Sequence, residues 1–420
     1  MHIGAWLTNI IDTVMKRLLV NNLGPIRNKE NIWVEMHKVT TLCGPQGAGK
    51  STIAKLISTF CWLEKALTRG DFLPKELKTY DRFRKKYCAF HNIQNYFNND
   101  TSIRFEGDKY IFTYEKGHLE VAQYNGHDYI RPQVMYIPAE RNLLNVVEHA
   151  EKIKGIPGSL DMLLGEYRRA LRAISGTEAL PLVGYSVQYD KLNQIAWLRG
   201  EDFKVRMTEA ASGFQSLIPT ILVSRNLLRL ITDETSGNAS TESKEESERT
   251  DKTIQTLLKD KTLDDATRLS LIKQLSTNKR NGRFLNIVEE IEQNLFPASQ
   301  LHVLYDLLAL NNKLSGNEMV LTTHSPYIIN YLSLAVKAGN MTAVIKNEEG
   351  KNAIAEIVPQ DAQLRTEDLA IYEISAEGEI KVLGSHYGIP DDNNYLNNSL
   401  EDANDMYDRL MDIEDGVCNR

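Results

Sequence analysis

The run TLCGPQGAGKST, beginning at Thr41, limits the fold more than any other stretch of the chain. It contains G-x-x-x-x-G-K-[ST] in full, with Gly44, Pro45, Gln46, Gly47, Ala48, Gly49, Lys50, Ser51 and Thr52 in order. Such a loop binds phosphate only between a strand and a helix. Its glycines let successive N–H groups turn toward phosphate oxygens, and the following helix adds its positive N-terminal end. In this pattern Lys50 reaches the β- and γ-phosphates and the Ser51 hydroxyl holds Mg²⁺. The flanks agree: Val34, Met36, Val39, Thr41 and Leu42 are rich in strand formers, and Ile53, Leu56, Ile57, Phe60 and Leu63 recur at helical spacing. The loop therefore predicts an α/β fold that holds ATP or GTP.

A phosphate loop alone fits a kinase, a GTPase, a helicase or a transport ATPase, so the downstream motifs have to discriminate. FLNIVEEIEQNLFP, from Phe284, reads as a buried strand ending in two acids, with Glu289 placed to hold Mg²⁺ and Glu290 to orient or deprotonate an attacking water. Paired acids also occur at solvated strand ends. EMVLTTHSPYIIN is a second buried strand, ending at Thr323, His324 and Ser325. A histidine there can hydrogen-bond a γ-phosphate, although a single histidine is more often structural. In EAASGFQSL, Ser212, Gly213 and Gln215 open an apolar helix whose N-terminus suits phosphate. By itself S-G-x-Q specifies little.

Composition excludes some classes. With 42% hydrophobic and 8% aromatic residues the chain reads as soluble and globular, and no apolar run reaches membrane-spanning length. The start lacks a signal-peptide pattern, which places the chain in the cytoplasm. Cys43, Cys61, Cys88 and Cys418 form neither a disulfide framework nor a metal spacing and read as reduced, mostly buried thiols. The net charge of −7 argues against a uniformly basic nucleic-acid binder. Two local basic runs, RFRKKY (Arg82 to Tyr87) and YRRALR (Tyr167 to Arg172), keep nucleic-acid contact open as an alternative to solvated faces.

Taken in order, the four motifs resemble the ATP-binding-cassette type of ATPase, in the soluble branch that includes recombination ATPases, overcoming-lysogenization-defect nucleases and ATPase subunits of bacterial anti-phage systems of the Septu, PARIS or retron-associated type. EEIEQNLFP and TTHSPYI are similar to that branch's Walker B and histidine loops, and ASGFQS resembles its signature, with Phe214 where transporters place a second glycine. VMYIPAERNLL resembles the strand near the glutamine loop; Gln133 precedes it and Glu140 and Arg141 follow, and which residue serves as that glutamine stays open. The resemblance implies an α/β P-loop ATPase with a mixed sheet flanked by helices, an antiparallel β region and a short helical insertion. It also implies ATP and Mg²⁺ as cofactors and a homodimer or higher oligomer in which two copies sandwich ATP.

The departures also inform. The chain runs from Arg141 to Ser212 with no room for a long coiled-coil arm, and Asp391-Asp392 does not supply the Asp-x-Asp of a toprim nuclease. These points lead to an ATPase that controls a separate effector, a nuclease or toxin, in anti-phage defence. Alternatives are a DNA-repair ATPase that clamps DNA and, further off, a transporter subunit or a small-molecule kinase. The expected divisions are an extension at 1–14, either an amphipathic helix or an early start, and an ATPase lobe with the phosphate loop and β region at 15–140. Then come a helical signature region at 141–280, an ATPase core at 281–385 and an acidic tail helix at 386–420. A flexible acidic loop is expected near 233–252, because DETSGNASTESKEESERTDK has almost no apolar residue to bury.

Overall fold

The structure, a computed structural model, describes residues 15–123, 129–148, 150–235 and 282–418, with scattered positions between 253 and 271. The N-terminal 1–14, the Asn125-Gly126 pair expected to close a hairpin, and the acidic stretch from 236 to 252 lie outside the described residues.

The chain enters through β1 (Arg17–Leu23) and the short β2 (Val34–Glu35), which pair antiparallel. Leu18, Val20 and Leu23 of β1 are buried, so one face of that strand is core. Next comes β3 (Val39–Cys43), buried at every position, and α1 (Lys50–Arg69). β4 (Phe97–Glu106), β5 (Tyr110–Glu115) and β6 (His118–Gln123) form antiparallel pairs, as their alternation predicted. With β1 and β2 they make a five-stranded sheet in the order β2-β1-β4-β5-β6. This sheet packs on α1 through Phe60, whose ring lies 5.1 Å from Phe105 of β4 and 5.4 Å from Phe112 of β5.

β7 (Pro132–Ile137) is wholly buried. Short helical turns and α2 (Gly158–Ala173) follow, then β8 (Thr177–Ala179), β9 (Ser186–Asp190), β10 (Ile195–Arg199) and β11 (Lys204–Arg206). These four strands form their own antiparallel sheet, in a region read from sequence as helical. The strands are three to five residues long and only partly buried, too short for a periodic signal to stand out from a turn-rich stretch.

α3 (Ser212–Thr235) leads away, and β12 (Arg283–Val288), α4 (Pro297–Asn312), β13 (Glu318–Thr323), α5 (Pro326–Val344), α6 (Glu348–Ile357), β14 (Leu369–Ile374) and β15 (Ile380–Val382) complete the core. α7 (Tyr395–Cys418) is the last described element; the span from 386 expected to be a tail helix opens instead on a short antiparallel pair, Ser385–His386 with Ile389–Pro390, and becomes helical only at Tyr395. The central sheet runs β15-β14-β3-β13-β12-β7, parallel except for β15. β3, β7, β12 and β13 are buried along nearly their whole length because both of their faces are covered. Cys43, Cys61 and Cys88 are buried thiols. Among the described residues no helix is long and apolar enough to cross a membrane.

Register fixes what meets at the carboxyl ends of these strands. Thr323 pairs with Cys43, so His324 comes level with Gly44, and Val288 pairs with Leu321, so Glu289 comes level with Thr322. Ligands of open α/β sheets bind at this edge.

Candidate nucleotide site

β3 delivers the chain into Gly44, whose φ is +138°; a Cβ there would lie 2.1 Å from the Ile374 carbonyl oxygen of β14. Only glycine fits beside that strand. Gly49, at φ +113°, caps α1, and a Cβ there would lie 2.7 Å from Ile26. Pro45 and Ala48 pack in the loop, Gln46 and Gly47 are exposed, and Ser51 and Thr52 occupy the first turn of α1. The Lys50 ammonium donates to the carbonyls of Gly44 and Pro45, at 2.8 Å each, and lies 3.3 Å from His324 Nδ1. Burial pulls it down to about 8. Burial, and then Lys50, also hold the His324 imidazole below its usual range.

On the next strand Glu289 is buried, and its Oε2 accepts from the Ala139 N–H at 3.1 Å. Its Oε1 has no hydrogen bond of good geometry among the described residues, and the nearby Tyr136 hydroxyl interacts with the same carboxylate. Glu290 follows at φ +44°, a left-handed conformation that a non-glycine residue holds only when its surroundings impose it. Thr322 Oγ1 accepts its N–H at 3.0 Å and Arg141 donates to its carbonyl at 2.7 Å. The turn aims the half-exposed Glu290 carboxylate to 3.8 Å from His324 Nε2. Burial first, and Glu289 second, hold that carboxyl above the usual range.

Two residues to which the sequence had assigned no role hold this edge together. Glu292 accepts from the His324 N–H at 2.5 Å through Oε1 and from the Thr323 hydroxyl at 2.9 Å through Oε2, fixing the histidine turn to the acid turn. Arg141, fully buried, donates to the carbonyls of Glu289 at 2.6 Å, Glu290 at 2.7 Å, Ser216 at 3.1 Å and Pro138 at 3.3 Å. It therefore ties the end of β7, the acid turn and the first turns of α3 at one guanidinium.

α3 begins at exposed Ser212. A Cβ on Gly213 would lie 2.7 Å from the Asn294 carbonyl, so glycine permits α3 to approach the segment after the acids. Gln215 is buried and its amide donates to the carbonyls of Met207 and Thr208, at 3.2 Å each, so it braces the helix start. Pro219 lies inside α3 and cannot donate to the Gln215 carbonyl four residues back. Asn145 supplies the missing donor at 2.9 Å. Gln133 sits within β7, where its Oε1 accepts from Lys65 at 3.3 Å, inside the sheet rather than at its carboxyl edge.

Mg²⁺ fits the residues present. The buried Glu289 Oε1 is a carboxyl oxygen with no hydrogen bond of good geometry, and Mg²⁺ sites on phosphates need only one or two protein oxygens, the others coming from water and phosphate. Glu289 and the Ser51 hydroxyl would supply them. Among the described residues no cluster of three His, Cys, Asp or Glu side chains could hold a metal unaided.

No family model matches the chain, and no curated protein matches it. Among solved structures it is similar to the SMC head domain from Thermotoga maritima, at 10% identity over 89% of this chain and 99% of that one, with a TM-score of 0.35. It is also similar to an SmcHead bound to the C-winged helix domain of ScpA (10% identity, 88% and 96% covered, TM-score 0.37). A third is a nucleotide-free ATP-binding cassette from an ABC transporter (10% identity, 89% and 92% covered, TM-score 0.29). The site's own geometry defines the class: an α/β protein with a phosphate loop, paired acids and a histidine on adjacent parallel strands.

Proposed function

We propose that the chain binds ATP with Mg²⁺ and hydrolyses it as an ATPase of the ATP-binding-cassette type, at a site completed by a second copy. The observation that carries this is the convergence of Lys50, Glu290 and His324 at the carboxyl ends of three neighbouring parallel strands. Lys50 holds the β- and γ-phosphates. Glu289 and Ser51 would hold Mg²⁺, which when bound would supply charge neutralisation on the phosphate oxygens. Glu290 orients and deprotonates the attacking water, and His324 contacts the γ-phosphate and reports its loss. Ser212, exposed at the start of α3, and the half-buried Gly213 beside it face the phosphates bound by the partner copy. The hydrolysis cycle governs a separate effector, a nuclease or toxin, in anti-phage defence, as the resemblance of the four motifs implies.

Lys50 provides the test. Its ammonium, pulled down to about 8 from its ordinary 10.5, regains a higher value beside a polyphosphate anion. Above about pH 8 the complex therefore holds more protons than the free protein, and affinity for Mg–ATP falls as pH rises. Below that pH the affinity is level. Calorimetric titration across this range should show the decline in wild type and a flat profile for Lys50→Arg, while Lys50→Ala loses most affinity. Absence of Mg–ATP binding, or of hydrolysis by the wild-type chain, would sink the proposal.

A further inference from the structure

The basic run at 167–172 is left unused by the phosphate-loop site, yet it lines a cavity of about 490 Å³ between α2, the β9–β10 hairpin and the segment leading into α3. That volume is in the range of small-molecule sites, about 300–1,000 Å³. Arg168 and Arg172 stand one turn apart on α2, so both guanidiniums reach the same rim. Arg206 joins them from the end of β11, paired with Glu148 at 3.7 Å across exposed surface, a contact a stronger anion displaces readily. Among the described lining residues the only charged groups are these three arginines and Glu148, in a chain whose net charge is −7. The floor is apolar, with Leu164, Leu171 and Ile195, and Tyr189 offers a ring. We infer that this cavity binds a small phosphorylated ligand with a flat ring, a nucleoside monophosphate or short phosphorylated dinucleotide, with its phosphate on Arg172 and Arg206 at the rim that Arg168 also lines and its ring against Tyr189 and the apolar floor.

Guanidiniums recognise phosphate bidentately, and the apolar floor favours a ligand with a ring over bare phosphate or a peptide carboxylate. A duplex would need an extended basic track. In the other basic run Arg84 and Lys85 are paired with Asp81, and Arg82, Lys85 and Lys86 line a separate, smaller pocket. The back wall connects to the signature helix. Tyr167 donates its hydroxyl to Asn145 Oδ1 at 2.8 Å, and Asn145 is the residue that satisfies the Gln215 carbonyl left open by Pro219. Met207 and Thr208, whose carbonyls accept from Gln215, also line the cavity. A bound ligand thus rests on the groups that set the start of α3.

Binding at this cavity does not depend on the ATPase reading, so the two can fail separately. The experiment is calorimetric titration of the full chain with inorganic phosphate, AMP, GMP, a 5′-phosphorylated dinucleotide and a 5′-phosphorylated single-stranded 12-mer. It is run on wild type, Lys50→Ala, Arg172→Gln and the Arg168→Gln/Arg172→Gln pair. The expected result is one ligand per chain for a mononucleotide or the dinucleotide, tighter than phosphate alone and retained in Lys50→Ala. Affinity should weaken about tenfold with Arg172→Gln, from loss of a charge-assisted contact, and further in the pair. Arg172 is exposed, so that single variant folds even if the pair does not. Three results would overturn the inference: no probe bound at millimolar concentration, binding indifferent to Arg172, or binding of the 12-mer alone.

Discussion

Glu290→Gln should keep nucleotide binding and slow ATP turnover by about two to four orders of magnitude, the usual contribution of general-base assistance. The substitution is nearly isosteric and leaves the groups that define the turn in place, because Thr322 and Arg141 hold the backbone of residue 290 rather than its side chain. What changes is proton affinity. Burial and the neighbouring Glu289 hold the Glu290 carboxyl above the usual carboxylate range, nearer to neutral pH, which suits a base. The amide cannot accept a proton from water, and the left-handed backbone at φ +44° keeps it where the carboxylate stood. Such a variant should accumulate with ATP bound and trap the closed pair of copies, visible by size-exclusion chromatography. Near-wild-type hydrolysis would mean that another group is the base.

Arg141→Met should destabilise the chain by about 3–5 kcal/mol, judged by urea unfolding, because it leaves buried carbonyls without their charged donor. Four carbonyls share that guanidinium, those of Pro138, Ser216, Glu289 and Glu290. They belong to three segments that share no other side-chain donor among the described residues, so the loss loosens the acid turn and α3 together. Arg141→Lys keeps the charge but not the planar fork, and should fall between the two. Unchanged stability in the methionine variant would contradict the role given to Arg141.

The phosphate loop and the strands around it were legible in sequence because their constraints are local. Gly44 and Gly49 must be glycine for backbone reasons, and Ile53, Leu56, Ile57, Phe60 and Leu63 carry the helical period within a few turns. Arg141 was visible only as a neighbour of a strand. Its partners at Ser216, Glu289 and Glu290 lie far along the chain, and no local pattern announces a guanidinium shared among carbonyls. Glu292 was hidden for a different reason: at helical or turn spacing after two acids it reads as one more surface carboxylate, and only the fold brings His324 and Thr323 onto it. Gln215 drew attention as part of S-G-x-Q, yet packing commits its amide to Met207 and Thr208. The sheet β8–β11 escaped because each strand is short and half-buried, so neither alternation nor hydrophobicity marks it.

The sandwich is tested most directly by mixing two lesions, Lys50→Ala and Ser212→Arg, in one assembly. Ser212 is exposed at the start of α3, so a large cation there should leave the single chain folded while blocking phosphate access from a partner. Each variant alone places one lesion in every composite site and should be nearly inactive. A mixed dimer collects both lesions in one site and leaves the other intact. Wild type mixed with Lys50→Ala first establishes that a dimer with one sound site turns over. With that control met, ATPase activity should return on co-expression in proportion to the mixed dimers formed; no recovery in verified mixed dimers would contradict the shared site and leave Ser212 as an ordinary helix start.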